Sequence, residues 1–245
     1  MVSFWIIDGQ SVFCQDGFPH RCMVATDDPA PTYRAIDHQT AQALGVDLSK
    51  GEFLTYRSLV GTLDTTLALE LSGAIQFVHW HKTHQYCTVC GTPTLTPSIP
   101  KVCPNCHHHS YPTISPCVIV AITRICPTTQ KPQILLARHH RHSAIYTLIA
   151  GFVEIGETLE MTVHREVKEE VGVLIDEPIY LGSQAWPYPS NLMVGFLANY
   201  QTGDITPQAD EIADAHFFDL DNLPKVAPKG TIAHTIIDDV VKRFG

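Results

Sequence analysis

The stretch GFVEIGETLEMTVHREVKEEVGV, from Gly151 to Val173, decides how the rest of the sequence is interpreted. Its run REVKEE has five charged residues out of six, in a chain that is 17% charged overall. We predict a helix over about Glu157–Val171, ended by Gly172, because glycine commonly follows the C-terminus of a helix. Like charges one turn apart weaken a helix by about 0.2–0.5 kcal/mol per pair, so this concentration of glutamates needs an explanation.

Three valines at intervals of four residues form a stripe along the predicted helix: Val163, Val167 and Val171. Such a stripe buries one side of a helix and fixes its rotation. Glu166 and Glu170 are then one turn apart, and Glu169 lies beside them. We expect the three carboxylates to lie along one edge of the buried face instead of dispersing into water.

The residues alone leave two interpretations of this cluster open. Carboxylate oxygens are the ligands that hard divalent cations prefer, and Mg²⁺ usually shares its coordination shell with substrate phosphates. The other interpretation is a solvated charged face that binds nothing. In either case Arg165 can reach back towards Glu157 and tie the preceding loop to the helix.

From Ser115 onward the sequence alternates between strand and helix patterns. The segments CVIVAITRI and QILLAR predict strands, separated by a turn at residues 127–130. Further strands are predicted from YTLIAGFV, PIYLGSQAWP, LMVGFLANY and AHFFDL. A terminal helix in GTIAHTIIDDVVKRF has apolar residues at helical spacing and is expected to pack on the core. We therefore predict an α/β domain over residues 114–245.

Two Cys-x-x-Cys pairs, twelve residues apart, precede this domain: Cys87, Cys90, Cys103 and Cys106. Two such pairs let four thiolates converge on one zinc ion, and a site with four protein ligands has no open position for catalysis. Gly91 permits the tight turn that the first pair needs. The surroundings are too polar for four unliganded core cysteines, so we predict a structural zinc ribbon over residues 83–113. A small α+β domain is predicted over residues 1–82.

Composition limits the classes to which the chain can belong. With 245 residues and 44% hydrophobic content, the chain can bury a sizeable core. Its net charge of −9 argues against broad binding to a nucleic-acid backbone, which leaves a basic footprint. No apolar run spans a membrane, and the N-terminus lacks the basic region of a secretory signal. We expect a cytoplasmic location with reduced thiols. The other cysteines are predicted to be buried: Cys14, Cys22, Cys117 and Cys126.

A segment rich in proline and aromatic residues, SQAWPYPSNLM, begins at Ser183. Prolines beside Trp186 and Tyr188 are expected to keep the chain stiff and extended. Two such rings can stack on a nucleobase or a nicotinamide for about 1–3 kcal/mol each, and Gln184 can contact polar edges. The alternative is a proline-rich connection whose aromatic rings merely pack.

The glutamate stretch resembles the Nudix box of the Nudix hydrolases at Gly151, Glu157, Arg165, Glu166, Val167, Glu169, Glu170, Gly172 and Val173. The resemblance implies a Nudix α/β/α sandwich with a mixed sheet, in which the box forms a loop, a helix and a loop. It implies a catalytic group made of the charged box residues: Glu157, Arg165, Glu166, Glu169 and Glu170. It also implies that Glu166 and Glu170 hold Mg²⁺ or Mn²⁺ for the hydrolysis of a nucleoside diphosphate linked to another moiety.

Three features are similar to those of the NADH pyrophosphatase subfamily: the box entry LIAGFVEIGE, the segment SQAWPYPSNLM and the four-cysteine segment. The subfamily pattern is Ser-Gln-Pro-Trp-Pro-Phe-Pro-x-Ser, and this sequence has Ala185, Tyr188 and Asn191 in place of Pro, Phe and the last Ser. The resemblance implies hydrolysis of NADH or NAD⁺ to nicotinamide mononucleotide and AMP, and of NAD caps on RNA 5′ ends. It also implies a homodimer and no association with membranes.

The resemblance carries further roles onto single residues. Ala150 would offer its backbone carbonyl to the catalytic Mg²⁺ or Mn²⁺, and Glu211 would add a carboxylate from outside the box. Arg57, in the N-terminal domain, is a candidate partner for a substrate phosphate. The predicted substrate-binding residues are Arg57, Tyr111, Gln184, Ala185, Trp186, Pro187, Tyr188, Pro189, Ser190, Asn191 and Ala233.

Two other functions remain open from the sequence. One is a Nudix diphosphatase acting on ADP-ribose or dinucleoside polyphosphates. The other is a zinc-ribbon nucleic-acid-binding protein with a non-catalytic Nudix domain. The intact glutamates argue against the second, and so does the scarcity of basic residues between positions 87 and 112, where only Lys101 is cationic.

Overall fold

The fold is built around two large β-sheets, one in each part of the chain. In the computed structural model, the described residues are 1–25, 33–96, 98–140 and 144–245. The N-terminal unit consists of Met1–Ile114 and Ala185–Asn191, and the C-terminal unit consists of Ser115–Gln184 and Leu192–Gly245. The predicted division into three domains stays a prediction, since the N-terminal unit takes in both the N-terminal segment and the cysteine segment.

The N-terminal unit contains a six-stranded sheet, a two-stranded sheet and three helices within the described residues. Its strands are β1 (Val2–Asp8), β2 (Ser11–Gln15), β3 (Phe18–Pro19), β4 (Arg21–Val24), β5 (Ala35–Asp37), β6 (Glu52–Thr55), β7 (Lys101–Val102) and β8 (His109–Ser110). Its helices are α1 (His38–Ala43), α2 (Tyr56–Leu59) and α3 (Thr65–Thr83). The larger sheet has the order β3-β2-β1-β4, with β5 on β1 and β6 on β2, and β7 pairs with β8.

Helix α3 forms much of the core of the N-terminal unit. The Asp64 side chain accepts a hydrogen bond from the backbone N–H of Leu67 and so caps the first turn. Leu71 and Ile75 on its inner side pack with Trp5 of β1, and all three are buried. This helix of 19 residues and the larger sheet are the α and β parts of the N-terminal segment, for which the sequence predicts a small α+β domain.

In the described part of its sequence, the C-terminal unit contains a seven-stranded sheet and two helices. Its strands are β9 (Ser115–Ile125), β10 (Pro132–His139), β11 (Ile149–Phe152), β12 (Leu174–Ile175), β13 (Ile179–Trp186), β14 (Asn191–Thr202) and β15 (Ile212–Asp219). The last two residues of β13 and the first residue of β14 fall within the N-terminal unit. Its helices are α4 (Leu159–Val171) and α5 (Ile232–Phe244). The sheet has the order β12-β14-β9-β10-β15, with β11 on β9 and β13 on β14. Every strand predicted in this region is present.

The alternation of side chains along β9 divides the apolar core of the C-terminal unit into two layers. Val118 and Val120 belong to the layer that contains Val163 and Val167 of α4. Ile119, from the other face of β9, belongs to the layer that contains the apolar stripe of α5: Ala233, Ile236, Ile237 and Val240. The predicted α/β/α sandwich is therefore confirmed, with one helix on each face of the sheet.

Helix α4 begins two residues later than the sequence pattern suggested. The N-cap is Thr158, whose hydroxyl accepts from the backbone N–H of Met161. Glu157 lies outside the helix because its carboxylate accepts from the backbone N–H of Glu154 in the preceding loop. Gly172 ends the helix as predicted, with a φ of 76° in the left-handed region.

No helix among the described residues is both long and apolar enough to cross a membrane.

The prediction that the four cysteines outside the two pairs are buried needs one correction. Cys14, Cys22 and Cys117 are buried, but Cys126 is only partly buried because it begins the turn that links β9 to β10.

Candidate active site

Helix α4 exposes its three glutamates to very different degrees. The valine stripe is fully buried and sets the rotation of the helix, as predicted. Glu170 is only 2% exposed, the Glu166 side chain is 14% exposed and the Glu169 side chain is 56% exposed. The cluster is therefore graded from the interior to the surface, with Glu170 at its inner end.

Glu170 is the least satisfied carboxylate of this cluster. Its Oε2 atom is buried and has no hydrogen-bond partner among the residues that the structure describes. Burial raises the pKa of Glu170 to about 8, and the neighbouring charges of Glu166, Glu211 and Glu169 add to that rise. A buried carboxylate among other carboxylates is unfavourable unless a cation balances the charge.

Glu166 lies directly over the backbone of Gly151, in strand β11. A Cβ atom at position 151 would lie 1.8 Å from Cδ of Glu166 and 2.0 Å from its Oε1 atom, so any side chain there would displace the carboxylate. Burial raises the pKa of Glu166, while Arg165 opposes that rise by donating to its Oε1 at 2.7 Å. Glycine at this position is thus what allows the cluster to approach β11.

Arg165 and Glu157 join the loop before α4 to the helix, as predicted. The guanidinium donates from Nε to Glu157 Oε1 at 2.7 Å and from its second terminal nitrogen to Glu157 Oε2 at 2.9 Å. It also donates to the backbone carbonyl of Phe152 at 2.9 Å. Thr162 donates to Glu157 Oε2 at 2.8 Å. The hydrogen bonds that Glu157 accepts, that of Arg165 first, lower the pKa of Glu157 to about 2. The bond to Glu157 in turn raises the pKa of Arg165.

The two predicted cation ligands outside the helix lie in the same unit as the cluster. Glu211 precedes β15, and its charge raises the pKa of both Glu166 and Glu170. Its Oε1 atom lies 3.8 Å from Nδ1 of His139. Ala150 is the residue of β11 that precedes Gly151, opposite Ile119 of β9.

The aromatic segment, residues 185–191, belongs to the N-terminal unit, where it packs against α2. The rings of Trp186 and Tyr188 lie 5.3 Å apart, and Tyr56 meets Trp186 edge-on at 5.7 Å. The Arg57 guanidinium lies 5.7 Å from the Trp186 ring and 5.1 Å from the Tyr188 ring. Its backbone N–H donates to the Tyr188 hydroxyl at 2.7 Å. The structure thus brings Arg57 to the rings with which the sequence analysis grouped it.

The prediction of an extended chain in this segment is wrong. Residues Pro187–Ser190 form a turn that links β13 to β14. Asn191 stabilises the turn by donating from Nδ2 to the carbonyl of Tyr188 at 3.1 Å. Pro187 is buried and Pro189 is exposed, so the prolines shape a reversal of the chain instead of a straight run.

Three other predicted substrate-binding residues have distinct surroundings. Gln184 donates to the carbonyl of Gly230 at 2.8 Å and accepts from the N–H of Ile232 at 2.7 Å, so its amide holds the start of α5. Ala233, in the first turn of α5, is 6% exposed and belongs to the core layer on that face of the sheet. Tyr111, in the N-terminal unit, is 61% exposed. Their substrate contacts stay predictions.

The four cysteines of the two pairs come together in the N-terminal unit. Their sulfur atoms all lie within 4.8 Å of one another, with 3.6 Å between Cys87 and Cys106 and 3.5 Å between Cys90 and Cys103. Backbone N–H groups also point at the sulfurs, as from Val89 to Cys87. Four convergent thiols with supporting N–H donors fit a tetrahedral metal ion.

Comparison with known proteins fits this geometry. The family model described as NUDIX domain matches residues 117–239, which include the whole of α4 and its preceding loop. The chain belongs to the NUDIX family.

Two relatives of this NUDIX protein extend the match beyond the C-terminal unit. It is 38% identical to the NAD-capped RNA hydrolase NudC of Vibrio cholerae, over 97% of this chain and 86% of the relative. It is 44% identical to the NAD-capped RNA hydrolase NudC of Photobacterium profundum, over 79% of this chain and 71% of that one. Among solved structures, a NUDIX hydrolase from Nitrosomonas europaea is similar at a TM-score of 0.49 and 23% identity, covering 65% of this chain and 89% of that one.

Sequence reasoning missed several residues that contact the predicted site of this NUDIX protein. Thr162 holds Glu157 from inside α4, yet a lone threonine beside a valine stripe carries no motif. Ser72 and Gln76 of α3 bond to the aromatic segment from more than 100 residues away in sequence. The available signal in the sequence was a pair of hydrogen-bonding residues four positions apart on one helix. Such pairs are too common to indicate a binding site.

Proposed function

We propose that this protein hydrolyses the diphosphate bond of NADH and NAD⁺ to give nicotinamide mononucleotide and AMP. It cleaves the same bond where NAD caps the 5′ end of RNA. Membership of the NUDIX family and the long match to proteins named NAD-capped RNA hydrolase support this substrate class. The observation that most directly supports metal-dependent hydrolysis is the buried, unpartnered carboxylate oxygen of Glu170 beside Glu166.

The residues present fit a divalent cation, Mg²⁺ or Mn²⁺. Glu166, Glu170 and Glu211 offer hard oxygen donors whose mutual repulsion such an ion would relieve, and Ala150 would add its backbone carbonyl. At these residues such a cation would neutralise the diphosphate and would lower the pKa of a water molecule bound to it. The graded burial of the cluster leaves the Glu169 end open to solvent, where a charged substrate can enter.

The chain's own groups then position the reactants. The bonds among Arg165, Glu157 and the Phe152 carbonyl hold the loop before α4 at a fixed distance from the helix. A carboxylate of the cluster accepts the proton of the attacking water. The water oxygen bonds to one phosphorus, the bridging P–O bond breaks, and the electron pair leaves with the second phosphate.

The aromatic segment and Arg57 supply the recognition that we propose for the rest of the substrate. Trp186 and Tyr188 present rings suited to stacking on a planar base, and the cationic Arg57 is suited to a phosphate. The paired cysteines hold Zn²⁺ in a structural role. A cytoplasmic location and a homodimer are parts of the same proposal.

The test is to incubate the purified protein with NADH, NAD⁺, NAD-capped RNA or ADP-ribose, with Mg²⁺ or Mn²⁺, and to resolve the products. We expect AMP from both free dinucleotides, with nicotinamide mononucleotide from NAD⁺ and its reduced form from NADH, and a 5′-monophosphate end on the RNA. Release of AMP from ADP-ribose alone would contradict the proposed substrate and favour the related diphosphatase.

A second test addresses the aromatic segment. Trp186→Ala should raise KM for NADH by about fivefold or more, the loss expected for one stacked base, with a small change in thermal stability. An unchanged KM would restore the alternative in which the rings only pack.

A further inference from the structure

Helix α3 of the N-terminal unit bonds to both ends of the aromatic segment. Ser190 donates from its hydroxyl to Oε1 of Gln76 at 3.0 Å. Gln76 donates from Nε2 to the Ser72 hydroxyl at 3.0 Å, and Ser72 donates to the carbonyl of Ala185 at 3.2 Å. A continuous chain of hydrogen bonds thus runs from residue 190 to residue 185 through one turn of α3.

These bonds lie in a protected environment. Ser72 is fully buried and Gln76 is partly buried, so water does not compete freely for their polar groups. The two residues are four apart on one helix and therefore share a face, opposite the segment that they bond. Each of the three bonds joins groups that would otherwise lose their hydration on burial.

The bonds from α3 hold only the ends of the segment. The rings of Trp186 and Tyr188 lie between those ends, and Tyr56 and Arg57 of α2 contact them from the same unit. Breaking the α3 bonds therefore loosens the backbone on either side of the rings without removing any atom that stacks.

We infer that Ser72 and Gln76 are positioning residues for substrate recognition by the aromatic segment. The inference rests on the proposed function and extends it, because it gives helix α3 a part in positioning the segment that binds the dinucleotide. The two residues fix the backbone that carries the rings, so their loss weakens binding of the planar base and leaves the hydrolytic step unchanged. The expected signature is a rise in KM with a constant kcat.

The experiment measures kcat and KM for NAD⁺ in Gln76→Met and Ser72→Ala. Methionine keeps the length of glutamine and removes its hydrogen bonds, and alanine keeps most of the volume of serine. We expect each variant to raise KM by about three- to tenfold, the loss of one or two buried hydrogen bonds, with kcat within about twofold of the wild type. Thr83→Val is the control on the same helix, because it loses bonds to the His79 and Trp80 carbonyls and does not contact the segment.

A double substitution decides whether the effect passes through the rings. In a Trp186→Ala background, Gln76→Met should add less than about twofold to KM, because coupled residues are not additive. Fully additive effects on KM would overturn the inference.

The remaining outcomes separate the inference from the function on which it rests. A wild-type protein that releases AMP, with an unchanged KM in folded Gln76→Met and Ser72→Ala, overturns the inference alone. So does a fall in kcat at constant KM. A wild-type protein that releases no AMP from NAD⁺ overturns the proposed function and this inference together.

Discussion

Two glutamates at opposite ends of α4 have opposite electrostatic surroundings. Glu157, before the helix, accepts hydrogen bonds from Arg165, Thr162 and the backbone of Glu154, and its pKa is lowered to about 2. Glu170, in the last turn, has a buried oxygen without a partner, and its pKa is raised to about 8. The first carboxylate stabilises the folded loop, whereas the second destabilises the fold until a cation neutralises it.

The comparison shows that identical side chains within one motif can have separate tasks. Glu157 and Arg165 bond to each other through two hydrogen bonds within the protein. Glu166 and Glu170 share no such partner set, since Arg165 reaches only Oε1 of Glu166. Because a carboxylate can accept several donors, the unfilled acceptor sites of Glu170 are where we propose that the cation binds.

The largest expected effect comes from removing the charge of Glu170. Glu170→Gln should lower kcat by more than about 100-fold, the upper range for residues that only support a metal ligand. Because the substitution removes a buried charge, the unfolding temperature measured without added Mg²⁺ or Mn²⁺ should stay the same or rise. Steady-state assays and thermal unfolding check both parts, and activity near that of the wild type would sink the ligand assignment.

The stability of the metal-free protein should depend on pH in a way that separates the two glutamates. The folded-state pKa of Glu170 lies above its unfolded value of about 4.5, so its ionisation removes stability as the pH rises from about 5 to 8. The loss is at most about 5 kcal/mol, and added Mg²⁺ should restore it. Denaturant titrations at several pH values measure it, and a Glu170→Gln protein with the same pH slope would contradict the prediction.

The contribution of Glu157 to stability changes with pH in the opposite direction. Its folded-state pKa lies below the unfolded value, so it contributes stability above about pH 4.5 that is lost as the pH falls towards 2. Glu157→Gln should flatten this acid limb and leave the limb between pH 5 and 8 unchanged.

A side chain at Gly151 should disturb Glu166 without unfolding the protein. The Cβ of Gly151→Ala would meet the carboxylate at the flexible end of a side chain, so Glu166 moves while the backbone remains. A displacement of about 1 Å can lower activity by about 100-fold. Gly182→Ala, in the same unit, is the control, because its Cβ would meet nothing within 4 Å. Equal activities of the two variants would argue against the placement of Glu166.

A smaller effect is expected where a carboxylate only supports the site. Glu157→Gln should lower kcat by about tenfold, since the loop loses its bidentate bond to Arg165 while the cluster keeps its ligands. The unfolding temperature should fall as well. Glu160→Gln, on the exposed first turn of α4, is the matched control, and equal losses in both variants would contradict a specific role for Glu157.

The parts that could be predicted from sequence depend on local spacing. Helix α4, its valine stripe and its terminal glycine follow from periods of a few residues, and so do the paired cysteines. The start of α4 was misplaced because Glu157 satisfies the Glu154 backbone instead of joining the helix. A charged residue at that position is equally compatible with the preceding loop and with the first turn of the helix.

The parts that could not be predicted depend on contacts between distant residues. The turn at Pro187–Ser190 is held by α3, and its bonds join residues more than 100 positions apart. Gln184 occupies a position of the Ser-Gln-Pro-Trp pattern, yet its amide bonds to the backbone at the start of α5. No local pattern distinguishes a glutamine that contacts substrate from one that anchors a helix.

The path of the chain through the two units limits how the protein can be divided. The chain leaves the C-terminal unit after Gln184 and returns to it at Leu192. A fragment that begins at Ser115 would keep every residue matched by the family model but would lose Tyr56, Ser72 and Gln76. Its aromatic segment would then expose apolar surface prone to self-association. The aromatic segment therefore depends on residues of the N-terminal unit, even though the glutamate cluster lies in the C-terminal unit alone.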